Sequence, residues 1–310
     1  MTERKKVVVV SPDQNQMRID KALCLEEEGV SRSRLQKLLK EGNVLVNQKP
    51  VKPSFRLQTG DTVCVYIPES QPVSVIAESI PLDILYEDEF LLIVNKPQGM
   101  VVHPAPGHTE HTLVNAVMAH CGEGLSGING ELRPGIVHRI DKDTSGALVI
   151  CKDDRTHQNL AEQLKEHTIH RLYHAVVHGN IKDDQGCINA PVGRHPTDRK
   201  RMSVHSKSGR HAVTHYQVLE RYHGRFTHIQ CRLETGRTHQ IRVHMASIGH
   251  PLAGDFLYNK NGGNPYHLPG QALHARVLGF QHPATGKYLE VSAPFPESFL
   301  ELLEKLKMIK

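Results

Sequence analysis

The chain has 310 residues, of which 38% are hydrophobic and 23% are charged, and its formal net charge at pH 7 is +5. This length favours two domains, and the absence of any apolar run of about 18 residues argues against a membrane-spanning helix. The N-terminal stretch does not resemble a secretory signal, and the six cysteines are isolated, which is typical of a reducing compartment. We therefore predict a cytoplasmic protein.

The positive charge is concentrated in two segments. Residues 31–56 contain seven Lys or Arg and one acid, and residues 194–210 contain six Lys or Arg and one acid. Concentrated basic segments on an otherwise slightly acidic chain favour an anionic partner, with nucleic acid the first candidate. A solvated basic surface is the alternative for each segment.

The sequence pattern predicts a short N-terminal lead-in segment at residues 1–17. A small αβ module is predicted to follow at residues 18–68. Apolar spacing predicts one helix near 18–25, and a capping-box pattern predicts a second over 33–40, with Gly42 where a terminating glycine stands. Two strands are predicted at 43–47 and 62–67.

These features resemble the S4 RNA-binding domain. The resemblance rests on Arg18-Ile-Asp20, Ser31-Arg-Ser-Arg34 and Gly42-Asn-Val-Leu-Val-Asn47 in this order. It implies contacts with RNA phosphates through four basic residues, Arg32, Arg34, Lys37 and Lys40. Residues 69–81 have a weak pattern and are predicted to be a linker.

Residues 82–310 predict a larger α+β domain. Strands are predicted at 84–86, 90–94, 170–178, 212–219, 226–234, 272–281 and 288–293. Helices are predicted at 112–121, 156–166, within 235–246, and at 297–307. No regular βαβ alternation occurs, so the strands are expected to be largely antiparallel.

The turn His138-Arg-Ile-Asp141 carries more ionisable groups than turning requires. It lies between apolar runs at 136–137 and 147–150, and the neighbouring cations favour the ionised form of Asp141. Asp141 is therefore a candidate nucleophile or base. A solvated turn residue, an aspartyl-phosphate site and a glycosidase pair with Asp143 are the alternatives, and the last two lack the expected strand or spacing.

Two further stretches contain candidate site residues. Arg237 and Arg242 lie in a segment dense in Arg and His, so either can pair with a catalytic carboxylate or a phosphate, or lie on a basic surface helix. Tyr173 can pack in the core or stack on a base. The histidine clusters match no HExxH or finger spacing, so no metal site is predicted.

Five ordered motifs resemble the pseudouridine synthases of the RluA/RluD type over roughly residues 18–300. They are Asn95-Lys-Pro-Gln-Gly99, Gly135-Ile-Val-His-Arg-Ile-Asp-Lys-Asp-Thr-Ser-Gly146, Arg171-Leu-Tyr173, Thr235-Gly-Arg-Thr-His-Gln-Ile-Arg-Val-His244 and Gly249-His-Pro-Leu-Ala-Gly-Asp255. Ile140 replaces the usual Leu, a volume-conserving exchange. The resemblance implies a mixed, largely antiparallel curved sheet with flanking helices, behind an S4 domain.

The same resemblance implies residue roles. Asp141 would be the nucleophile, Tyr173 would stack on uracil and act as or assist the base, and Arg242 would pair with Asp141. Arg139 would probe the space left by the flipped nucleotide, and His138 and Arg237 would contact RNA.

The implied reaction is isomerisation of uridine in RNA, without a cofactor or a required metal. The expected partner is large-subunit rRNA or a pre-ribosomal particle, with tRNA an alternative and a monomer the default state. A non-catalytic S4-type RNA-binding or ribosome-assembly protein is the alternative function.

Overall fold

The structure, a computed structural model, describes residues 4–26, 35, 38–67, 75–104, 108–122, 124–127, 134–198, 200–259 and 263–308. The chain divides into two compact units, Met1–Val73 and Ser74–Lys310, each with its own apolar core. No helix in these ranges combines the length and the apolar character needed to cross a membrane.

The first unit is a four-stranded antiparallel sheet with helical segments against it. Its strands are β1 (Arg4–Val9), β2 (Val44–Val46), β3 (Lys49–Pro50) and β4 (Thr62–Ile67), in the order β1-β4-β2-β3. A 3-10 turn, Pro12–Gln14, precedes helix α1 (Ile19–Glu26). The core consists of α1, the leucines at 35, 38 and 39, and the inward valines of the sheet. Of the predicted helix at 33–40, residues 35 and 38–40 are described, and all are helical.

The second unit is built on one large mixed sheet. Its strands are β5 (Ile84–Glu87), β6 (Leu91–Lys96), β7 (Ser145–Cys151), β8 (His170–His178), β9 (Gln185–Asn189), β12 (Val213–Tyr222), β13 (Phe226–Leu233), β14 (Leu273–Gln281) and β15 (Tyr288–Ser292). The order is β5-β6-β7-β14-β8-β13-β12-β9, with β15 paired to β14. A separate hairpin consists of β10 (Gly193–Arg194) and β11 (Met202–Ser203).

Four helices flank this sheet, namely α2 (Leu113–Cys121), α3 (Asp154–Lys165), α4 (Gln240–Ser247) and α5 (Glu297–Lys307). Side-chain caps start two of them. Thr112 accepts from the Asn115 amide at the start of α2, and Asp153 accepts from the Thr156 amide at 2.8 Å at the start of α3. The α+β class and the largely antiparallel, mixed sheet predicted from the sequence are confirmed.

The β7–β14 pair is the parallel pair of this sheet among the described strands. Ser145 and Gly146 lie opposite His274 and Ala275, and a Cβ on Gly146 would overlap the Ala275 backbone. Gly146 also has φ +114°, a conformation that favours glycine. This close contact joins the loop that carries Asp141 to the centre of the sheet.

Candidate active site

A cleft of about 540 Å³ lies where the loop before β7, strand β8 and the start of α4 meet. The predicted residues His138, Arg139, Asp141, Tyr173, Arg237 and Arg242 all line it. These residues come from positions more than 100 apart in the chain, and the fold brings them to one cavity.

Arg242 connects two carboxylates at the floor of this cleft. Its Nη1 donates to Asp141 Oδ2 at 2.9 Å, while Nε and Nη2 donate to Asp255 Oδ2 and Oδ1 at 2.7 and 3.0 Å. The Asp255 side chain is fully buried, whereas that of Asp141 is 18% exposed. The predicted Asp141–Arg242 contact is therefore present, and Asp141 is the carboxylate that a substrate can reach.

The electrostatics of this group favour a charged Arg242. Burial alone would lower the pKa of Arg242, but the hydrogen bond to Asp255 and the charges of Asp141 and Asp255 outweigh burial and raise it. Arg242 therefore stays charged, and its Nη1 places a positive charge beside Asp141 Oδ2.

Gln240 fixes the start of α4 and thereby the position of Arg242. Its Oε1 accepts from the Thr235 hydroxyl and the Arg237 amide at 2.7 and 3.0 Å, and its Nε2 donates to the Val213 carbonyl at 2.9 Å. The residue before the helix, His239, is in the left-handed region with φ 56°. The conformation of this turn directs the first turn of α4 into the cleft.

Asp255 was not singled out from the sequence, although it ends one of the five motifs. Its Oδ1 also accepts from the backbone amides of Leu257 and Tyr258, at 3.0 and 3.1 Å. The loop that follows α4 therefore folds around this carboxylate. An acid in a Gly-rich turn gives little local signal, because turns commonly contain Asp for conformational reasons.

Tyr173 lies in β8 between β13 and β14, opposite Cys231 and Ala275. Only 7% of the residue is exposed, and it belongs to the main core of the unit. Burial raises the pKa of Tyr173, and the charge of Asp141 adds to this while Arg171 opposes it. Its phenol is thus protonated at neutral pH, with the ring at the wall of the cleft.

His239 and Tyr258 complete the surroundings of Asp141. His239 Nε2 is 3.9 Å from Asp141 Oδ1, and its Nδ1 is 2.9 Å from the Tyr258 hydroxyl. Burial lowers the pKa of His239 more than Asp141 raises it, which favours the neutral ring. The Tyr258 ring packs against Arg242, with 5.2 Å from the guanidinium carbon to the ring centroid.

Lys96 supports the loop that carries Asp141 through the hydrogen bonds of its buried side chain. The residue is fully buried, and its Nζ donates to the carbonyls of Pro97, Met100 and Lys142 at 2.8, 2.8 and 2.9 Å. Three acceptors match the three hydrogens of an ammonium group. Burial nevertheless lowers the pKa of Lys96 to about 7. Lys96 lies in the motif Asn95-Lys-Pro-Gln-Gly99, but the sequence alone indicates no role for it.

The remaining predicted contacts differ in their surroundings. His138 Nε2 accepts from the Val149 amide at 3.1 Å, and burial lowers the pKa of His138 to about 3, so the ring is neutral. Only its Nδ1–H is left for RNA. Arg139 is exposed at the cleft, whereas Arg237 donates to the His211 carbonyl at 3.1 Å and does not contact Asp141.

The predicted phosphate-binding residues of the first unit are largely outside the described ranges. Arg32, Arg34 and Lys37 lie outside them, and Lys40 is described and exposed.

Within the described ranges, one group of side chains has the proximity needed to hold a metal ion. It consists of Glu87, His120 and Cys121, whose ligand atoms lie within 4.8 Å of one another. Glu87 is already paired with Lys152 at 2.8 Å and with His120 at 3.0 Å. None of the three lines the cleft, so we assign this group no part in the chemistry.

Residues 90–247 match the family model for RNA pseudouridylate synthase, and residues 17–63 match the model for the S4 domain. The chain belongs to the RNA pseudouridylate synthase family. The synthase is an isomerase that acts on RNA, and the catalytic interpretation of the sequence is favoured over a binding protein without activity.

Two relatives match over nearly their whole length. The synthase is 54% identical over 300 residues to "Uncharacterized RNA pseudouridine synthase YlyB" of Bacillus subtilis (97% of each chain). It is 46% identical over 301 residues to "Ribosomal large subunit pseudouridine synthase D" of Zymomonas mobilis (94% of each chain).

The solved structure of "Human RNA Pseudouridylate Synthase Domain Containing 1" has a similar fold. It aligns with a TM-score of 0.55 at 24% identity, covering 75% of this chain and 97% of that one.

Proposed function

We propose that the synthase modifies uridines of large-subunit rRNA, with Asp141 as the nucleophile. The observation that carries the catalytic assignment is the Asp141–Arg242 ion pair of 2.9 Å, which presents a partly exposed carboxylate to the cleft. The substrate assignment is supported by relatives at 44–46% identity that are named as ribosomal large-subunit synthases.

The isomerisation breaks the C1′–N1 bond and forms a C1′–C5 bond. The C5 proton leaves and N1 gains a proton, so the reaction needs no net oxidant or reductant. Asp141 attacks the target nucleoside after the nucleotide has flipped out of its stack, which costs a few kcal/mol. Tyr173 stacks on the uracil and assists proton transfer, and Arg139 occupies the space that the nucleotide leaves.

The basic residues of an S4-like domain bind the RNA. We assign residues 18–68 to this domain, 69–81 to a linker and 82–310 to the catalytic domain. Arg32, Arg34, Lys37 and Lys40 bind phosphates, and Arg237 and His138 bind RNA at the cleft. The enzyme acts as a monomer in the cytoplasm, where rRNA is made and assembled.

The catalytic assignment is tested with large-subunit rRNA that lacks pseudouridine. After incubation with wild type or Asp141→Asn, modified sites are mapped by carbodiimide treatment and reverse transcription. We expect stops with wild type and none with Asp141→Asn. The matched control is Asp143→Asn, which removes an acid two residues away and should keep the wild-type map. Identical maps for wild type and Asp141→Asn would refute the assignment.

The RNA-binding assignment has its own test. The double substitution Arg34→Glu with Lys37→Glu should weaken rRNA binding and reduce its salt dependence, because phosphate contacts release counterions. Unchanged affinity and salt slope would contradict the role of these residues while leaving the catalytic assignment intact.

A further inference from the structure

Arg171 is a buried cation in the cleft that the chemistry described so far does not use. The residue is 7% exposed and lies two positions before Tyr173 in β8. Side chains two apart in a strand point to the same face, so both reach the same cavity. Both line the cleft together with Asp141.

Arg171 has few hydrogen-bond partners in the protein and no counter-charge among the described residues. Its Nη2 donates to the Glu234 carbonyl at 3.0 Å, while Nε is buried without a hydrogen-bond partner. Within the described ranges, no carboxylate forms an ion pair with Arg171. Buried arginines are normally paired and fully hydrogen-bonded, because an isolated buried charge is costly. A ligand that brings negative charge into the cleft would remove this imbalance.

Gly236 provides the space that the guanidinium occupies. A Cβ at this position would lie 2.7 Å from Arg171 Nη1, closer than normal contact. Burial also lowers the pKa of Arg171 from its ordinary value, the direction expected where a compensating anion is absent. The close approach of Gly236 places Nη1 at the wall of the cleft.

We propose that Arg171 is a catalytic residue that binds the uracil base and stabilises the negative charge that it acquires. This inference rests on the proposed stacking of uracil on Tyr173. When C1′–N1 breaks, its electron pair leaves with the base, and the charge spreads from N1 to the carbonyl oxygens. If Asp141 attacks C6 instead, the electron pair of the C5–C6 double bond moves onto O4. A fixed guanidinium stabilises either anion in a site of low dielectric.

The position of Arg171 favours the base over the RNA backbone. Cations available to phosphates lie at the edge of the cleft, where Arg139 is exposed and the Lys165 side chain is 75% exposed. Arg171 lies deeper, on the strand that carries the stacking ring. A backbone phosphate remains connected to the polymer outside, whereas a flipped base enters the cavity.

The test uses total RNA labelled with [5-³H]uridine from cells that lack the gene, so every natural target is present. Tritium is released when C5 bonds to C1′, and the rate is measured in single turnover with excess enzyme. We expect Arg171→Met to reduce the saturating rate constant about 10²–10³-fold, as loss of one preorganised donor does. Its half-saturating enzyme concentration should change less than about twofold. Arg171→Lys keeps the charge, and its saturating rate constant should fall about tenfold or less.

Gly236→Ala provides a second variant that keeps every charge. It displaces only the end of the Arg171 side chain, so folding should be retained while the saturating rate constant falls. The matched control is Arg221→Met, an arginine of the same sheet that also donates to backbone carbonyls but does not line the cleft. It should leave the rate unchanged.

Three results would overturn the inference. If Arg171→Met raises only the half-saturating enzyme concentration, and the salt dependence of binding falls by about 1 in slope, Arg171 contacts a phosphate instead. Equal rate losses in Arg171→Lys and Arg171→Met, with matching losses of thermal stability, would identify a structural role. An unaltered rate in Arg171→Met would exclude any role. Separating the released tritium by RNA class tests the rRNA assignment independently.

Discussion

Asp255 accepts two of the three hydrogen bonds that Arg242 donates in the cleft, through Nε and Nη2. Only Nη1 is left for Asp141. The buried acid therefore sets the orientation of the guanidinium, and the guanidinium sets that of the reactive carboxylate. Asp255 is a positioning residue, because it acts on the substrate through Arg242 alone.

We expect Asp255→Asn to lower kcat about 100-fold, since small displacements of a positioned catalytic group have effects of this size. KM should change little, because the Asp255 side chain is fully buried and does not line the cleft. The unfolding free energy should fall by about 3 kcal/mol, because the buried Arg242 loses the more deeply buried of its two carboxylate partners. The measurements are tritium release and urea unfolding. Asp184→Asn, in an exposed pair with Arg221, is the control. Wild-type kcat in Asp255→Asn would contradict this role.

Lys96→Met should separate the loop of Asp141 from its support. Three part-buried carbonyls lose the Lys96 ammonium as a donor, and within the described part of the chain only the Lys142 carbonyl keeps a second one, the Gly99 amide at 3.0 Å. Each buried group left unsatisfied costs about 1–3 kcal/mol. We expect the free energy of unfolding to fall by about 3 kcal/mol or more, and turnover to fall with it. Lys152→Met removes a lysine that pairs with Glu87 away from the cleft, and it should retain turnover. Equal stability of the two variants would contradict the support role.

Gly146→Ala tests the close contact of β7 with β14. The new Cβ would overlap the Ala275 backbone, which cannot yield as a side-chain end does. We expect a loss of about 3 kcal/mol or more, measured by urea unfolding. Gly122→Ala is the control, since Gly122 also has positive φ but has nothing within 4 Å of its Cβ position. It should cost only about 1 kcal/mol. Similar losses in both would mean that φ, not overlap, decides.

Two buried histidines and one partly buried histidine should make the stability depend on pH. Burial lowers the pKa of His174, His228 and His274 to about 4. The charge of His174 on His228 and His274, and the charges of Arg276 and Lys307, also lower these pKa values. In the unfolded chain these histidines have the ordinary pKa of 6.5, so the unfolded chain binds more protons than the folded one between about pH 4 and pH 6.5. The unfolding free energy therefore falls as the pH is lowered from about 6.5 to about 4, and it is fully retained above this window.

Urea unfolding at several pH values measures this slope. His228→Gln should reduce it by about one proton, or about 1.4 kcal/mol per pH unit. His205→Gln, at an exposed histidine, is the control for the substitution itself. A wild-type stability that is flat between pH 6.5 and 4 would mean that these rings are not buried in their neutral form.

Much of the fold could be predicted from local sequence pattern. The strand at 170–178 and the helix at 297–307 coincide with β8 and α5, because alternation and amphipathic spacing are strong there. Strand β9 was missed, since Gln185–Asn189 is short and half-polar at the edge of the sheet. The parallel register of β7 with β14 joins residues 129 apart, and no local pattern encodes it.

The sequence predicted the site residues whose partners a motif indicates. It did not predict those whose role depends only on packing. The family resemblance predicted Arg242, and not Arg237, as the partner of Asp141, because of its place in the motif at 235–244. Asp255 and Arg171 lie within motifs. Their roles in the site depend on burial, which the sequence does not show. Whether a charged residue is half-exposed or fully enclosed depends on the arrangement of distant strands.

The position of β14 has a consequence for dividing this protein into fragments. The segment that matches the synthase family model ends at residue 247, but residues 273–281 fill the gap between β7 and β8. A shortened enzyme ending at 247 would lack the strand that joins the two halves of its sheet, and it would also lack Asp255. A working catalytic fragment must therefore extend past residue 281, and a ribosome-bound chain assembles this centre only late in synthesis.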